Sequence, residues 1–168
     1  MISPRTRCAR SPHWGAVSCY GRPGATDVFT PSRDEARRFL IDAWTKFRAQ
    51  EPLSALERMA SELIALHPEY HAMLEAPEEN IDRDWRPEAG DVNPFLHLSL
   101  HLAVAEQLAI DQPPGIRAEF DRLRTARGDE HAALHALLEC LGEVVWTAQR
   151  HATPPDAQLY LECLRRQA

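Results

Sequence analysis

Six of the eight histidines in this 168-residue chain stand in pairs four positions apart: His67/His71, His97/His101 and His131/His135. Residues at that spacing lie one turn apart on one face of a helix, which is how two imidazoles reach a single ion. Two pairs extend by the same step to a carboxylate, giving His67-His71-Glu75 and His131-His135-Glu139. Imidazole with carboxylate suits zinc, iron or manganese, and helical bundles hold such ions between facing helices. The candidate ligands of a divalent metal are therefore His71, His97, His101, His131, His135 and Glu139.

Helix geometry ranks the pairs. At 100° per residue, His97 and His101 fall within about 40° of each other, flanked by Val104 and Leu108, with Ser99 and Glu106 on the far side. Both rings should point inward. His131 lies at the edge of an apolar face made by Leu134, Leu137, Leu138, Leu141 and Val145. From it His135 and Glu139 drift outward by about 40° and 80°. The third pair is broken by Pro68, which biases His67 away from helical geometry. On this reading His67 only ends a helix, and His71 contributes from the next one. The competing account is that each buried imidazole bonds a backbone carbonyl or a carboxylate, as Glu139 could do for His135 within one helix.

The elements that must position these residues are helices. Ser32-Arg-Asp-Glu35 and Ser54-Ala-Leu-Glu57 match capping boxes. The first leads into Phe39, Leu40, Ala43, Trp44 and Phe47, and the second into Met59, Ala60, Leu63 and Ile64, both at helical spacing. Pro68 opens a short third helix to about Leu74. Pro77 to Val92 reads as a loop that Trp85 anchors. Asn93-Pro94 starts a helix running to about Ile110. Pro113-Pro114 opens one ending at Gly128, Asp129 caps a long one to about Arg150, and Pro154-Pro155 starts the last, to about Arg166. No strand pattern persists. The expected fold is all-α, a single-domain bundle of about six to seven helices.

Composition narrows the function classes. The net charge is −6, split as +3 over residues 1–27 and −9 over residues 28–168. An acidic body repels phosphate backbones and anionic bilayers, so neither nucleic acid nor membrane is expected as a partner. No run of about 18 or more apolar residues could span a bilayer. No Gly-rich phosphate loop or G-x-S-x-G elbow occurs. Arg117, Arg122, Arg124 and Arg127 read as a solvated helix face. Cys8, Cys19, Cys140 and Cys163 form no C-x-x-C pair. Cys140 and Cys163 read as reduced, buried core residues, which points to the cytoplasm.

Residues 1–27 are rich in Pro, Gly, Ser and Arg and lack a helical period or a secretory apolar core. They are expected to be a disordered extension upstream of the true start, with Val28 read from a GTG codon, and residues 28–168 to be the helical domain.

The segments FTPSRDEARRFLIDAW, NPFLHLSLHLAVAEQLAIDQPPGIR, GDEHAALHALLECLGEVVW and TPPDAQLYLECLRR together resemble the bacterial family labelled domain of unknown function 1841. The resemblance spans about residues 28–168 and implies a small cytoplasmic bacterial protein. It carries no activity, substrate or site residue. Nothing in the sequence identifies a catalytic residue or decides whether the protein is an enzyme. The leading functional expectation is a metal-binding helical bundle using paired histidines. The alternative is a non-enzymatic interaction or regulatory module, a homodimer or bound to a protein partner, whose histidines are structural.

Overall fold

The computed structural model describes residues 32–85 and 92–167, and among them every regular element is helical. The expected extension over residues 1–27 lies outside the described residues. The helices are α1 (Arg33–Arg48), α2 (Ala55–Ala65), a 3-10 turn (Pro68–Tyr70), α3 (His71–Leu74), α4 (Pro77–Asn80), α5 (Pro94–Ile110), α6 (Ile116–Arg127), α7 (Glu130–His151) and α8 (Ala157–Arg166). Among the described residues there are eight α-helices: the expected short third helix is the 3-10 turn with α3, and the addition is the single turn α4. α4 interrupts the stretch read as loop. There Asn80 is buried and its amide donates to the carbonyls of Met73 and Ala76.

Local chemistry starts four helices where the sequence indicates, whereas α8 begins at Ala157, capped by Asp156, rather than at Pro154-Pro155. Ser32 and Ser54 form reciprocal capping boxes with Glu35 and Glu57. Asn93 and Asp129 accept from the backbone of Leu96 and Ala132 at the starts of α5 and α7. α6 begins at Ile116 rather than at the proline pair. Asp111 ends α5 in the left-handed region, and its carboxylate accepts from the N–H groups of Gly115 and Arg117. The prolines thus belong to the intervening turn.

Two apolar clusters form the core. One joins Leu40, Trp44 and Ile64 to Phe95 and Leu98 of α5. The other joins Val104 of the same helix to Leu123, Leu137, Tyr160 and Leu164. α5 packs on α1, α2, α6 and α7, and is apolar round most of its circumference because it is covered on several sides. His97 and His101 project from α5 where one cluster gives way to the other.

Trp85 anchors its segment as expected, with its ring 5.5 Å from that of Phe95. The buried Arg37 guanidinium lies over both rings and donates to the carbonyl of Ile81. The arginine run is not simply solvated. Arg117 donates to the last carbonyls of α5, at Leu108 and Ala109. Arg122 donates to Leu164 and Gln167 at the end of α8.

The reduced state expected for Cys140 and Cys163 is overturned. Packing of α8 back on α7 brings their Cα atoms to 5.7 Å, and a disulfide joins them. The inference of a reducing compartment loses its basis with that pairing. Among the described residues, no helix is long and apolar enough to cross a membrane.

Candidate metal centre

Five imidazoles from three chain segments meet at the seam between the two clusters. α5 supplies His97 and His101, and α7 supplies His131 and His135, each pair one turn apart. The fifth is His67. At His67 the backbone leaves the helical region (φ −122°, ψ 65°), and Pro68 begins the 3-10 turn. The departure from helix that Pro68 imposes is what turns the ring into the bundle. His67 is 1% exposed and His101 fully buried, while His97, His131 and His135 are partly covered.

The rings crowd one point. The His67 ring centroid is 4.7 Å from those of His97, His101 and His131, and 5.6 Å from that of His135. His67 Nε2 lies 3.1 Å from His101 Nε2 and 3.2 Å from His131 Nε2. One ring nitrogen from each of His67, His97, His101 and His135 falls within 4.8 Å of all the others. Nitrogen ligands about 2.0–2.1 Å from one ion lie roughly 3–3.5 Å apart when adjacent, so the spacing suits a shared cation.

Hydrogen bonding gives a second test of fit. His67 Nδ1 is 2.9 Å from the carboxylate of Glu69, so Nδ1–H donates there and the Nε2 lone pair faces the cluster. His97 Nε2, His135 Nε2 and His101 Nδ1 are buried without a hydrogen-bond partner. A buried polar atom left unpaired costs about 1–3 kcal/mol. A cation at the focus of the rings would take up the lone pairs of His97 and His135.

Electrostatics keeps the donors ready. Burial, reinforced by neighbouring imidazoles, pushes His97 down to about 4 and His101 down to about 3. His135 moves the same way, again mainly through burial. These rings are neutral at pH 7, the form that ligates metals. Burial works against the charge on Glu69, but its hydrogen bonds from His67 and its own backbone hold it below the usual carboxylate range.

The structure gathers His97, His101, His131 and His135, as the spacing indicates, but not His71 or Glu139. His71 Nε2–H donates to the carbonyl of Ile64 at 2.9 Å, and its ring packs 4.3 Å from that of Trp44. It follows the competing account, satisfied by backbone. Glu139 is exposed and stands outside the group of clustered donors. His67 takes the place expected for His71. Its i, i+4 partnership misdirects, because the two residues do not share a helix. The signal that could have found His67 is the one that discounted it, a Pro-forced break at the end of an amphipathic helix. Glu69 has no signature in spacing.

The family described as Domain of unknown function (DUF1841) matches residues 32–166, a span that contains all five imidazoles and Glu69. No curated protein and no solved structure matches the chain. The match covers most of the sequence, and the chain belongs to the DUF1841 family.

Proposed function

We propose that this protein is a metal-binding helical domain. Its buried mononuclear centre uses His67, His97, His101 and His135, with His131 as an adjoining fifth imidazole. The observation that carries the reading is the convergence of four ring nitrogens within 4.8 Å, two of them buried Nε2 atoms with no other partner.

The donor set narrows the metal. Neutral imidazoles suit zinc, iron, copper and nickel, whereas manganese favours carboxylate and water ligands. Of zinc, iron and manganese, manganese fits least well once Glu139 lies outside the group. A carboxylate-bridged dinuclear centre of the ferritin-like kind is also disfavoured, since that design draws a glutamate from each of several helices. Here the nearby carboxylate, Glu69, stands behind His67. The buried donors favour a resident ion. By joining the end of α2 to α5 and α7, that ion would add its binding free energy to folding.

Elemental analysis of untagged protein tests this. The expected result is about one zinc or iron per chain, lost in the double variant His97→Ala/His101→Ala. Protein that never carries metal, and whose melting temperature does not respond to added zinc or iron(II), would rule the centre out.

A further inference from the structure

We infer that Glu69 is the positioning residue of this centre: through Nδ1 it holds His67 in the tautomer that presents Nε2 to the ion, and it supplies a nearby negative charge. The inference rests on the metal-binding reading above and assigns a role to a residue that donates no ligand atom itself.

Three observations carry it. The Glu69 Oε1 to His67 Nδ1 contact is 2.9 Å, and an ionised carboxylate can only accept, so the proton sits on Nδ1. His67 Nε2 is the atom approached by both His101 Nε2 and His131 Nε2, which makes it the hub of the cluster. The clustered donors are all imidazoles, so a dication among them would meet no charge within its ligand shell. Burying uncompensated charge is costly. The Glu69 carboxylate, hydrogen-bonded to the His67 ring, places negative charge beside the cluster. Its location explains how it can do this without ligating. It lies two residues beyond His67 on the 3-10 turn, on the side of the ring opposite Nε2.

Because the Glu69 side chain is 56% exposed, its replacement should leave the core intact. The full chain and its Glu69→Ala and Glu69→Gln variants are compared in three measurements. Zinc affinity is measured by competition with a chromophoric chelator. The Co²⁺ absorption spectrum reports the ligand set. Ring ¹⁵N shifts of His67 in metal-free protein report its tautomer. Glu69→Ala is expected to weaken zinc binding about 10–100-fold, leave the Co²⁺ band pattern unchanged, and release His67 from the Nδ1–H tautomer. Glu69→Gln keeps an acceptor without the charge, so it should restore the tautomer while recovering only part of the affinity. Wild-type binding with unchanged affinity in Glu69→Ala would overturn the Glu69 role alone. A changed Co²⁺ spectrum would overturn it too, by making Glu69 a ligand. Failure of the wild-type chain to bind either ion would remove the centre and the inference together.

Discussion

His67 Nε2 and His101 Nε2 lie 3.1 Å apart, although the two residues are 34 positions apart in sequence. That contact makes a residue at a broken helix end the counterpart of one in the middle of α5. It separates the structure from a spacing argument that favoured His71. His67→Ala should therefore reduce zinc affinity by more than the roughly 10–100-fold expected of an outer-shell change. His71→Ala should leave zinc stoichiometry intact and cost about 1 kcal/mol through its lost bond to Ile64. Equal loss of metal in both variants, measured by chelator competition, would contradict the geometry.

Adding the ion should stabilise the fold. At free metal about 100 times the dissociation constant, the gain is about 2.7 kcal/mol. For a chain of this size that raises the melting temperature by roughly 5–10 °C. Differential scanning calorimetry of chelator-treated and reloaded protein reads the shift directly.

Metal-free protein should lose stability on mild acidification. His97 and His101 titrate near 4 and 3 in the folded state, below the ordinary histidine value near 6.5. The unfolded chain therefore binds more protons between those limits, so stability rises with pH across that window. It is fully present above about pH 6.5 and declines as the pH falls toward 4. Urea midpoints at pH 7.5, 6 and 5 should decrease in that order, and the decrease should shrink in His97→Gln/His101→Gln. A flat profile in the wild-type chain would refute the buried neutral state.

The link between α7 and α8 has its own signature. Closing 23 positions of chain through Cys140 and Cys163 stabilises the oxidised protein by roughly 3 kcal/mol. Peptide mapping without reductant should recover the two cysteines in one linked fragment. Reduction should lower the urea midpoint by a matching amount.

Arg37 offers a test remote from the histidines. Its guanidinium is buried against Trp85 and Phe95 and donates to the Ile81 carbonyl. Arg37→Ala should cost about 2–4 kcal/mol by removing two cation–π contacts and a charged hydrogen bond. Trp85 fluorescence should shift to the red as the ring gains water.

Much of this architecture is legible in the sequence because it is set locally. Ser32, Ser54, Asn93 and Asp129 start helices through their own side chains, and the apolar neighbours of His97 and His101 disclose the inward face of α5. Features set by distant segments are not legible in that way. His67 enters the site because its backbone leaves the helix, while a period-based reading discounts it for the same reason. Glu69 matters only through a ring two residues away. Cys140 and Cys163 pair because α8 docks on α7 in one register, which neither helix alone encodes. The turn at Pro77–Asn80 was hidden by its proline and acidic residues, which resemble those of a loop.

The five rings come from the end of α2, from α5 and from α7, so no single stretch of chain brings them together. An ion held at their focus would need α7 packed on α5, so that residues 131 and 135 face residue 67. A chain truncated before α7 would carry three of the five imidazoles, those of His67, His97 and His101. An ion held by all three segments would mark a chain in which α2, α5 and α7 have come together.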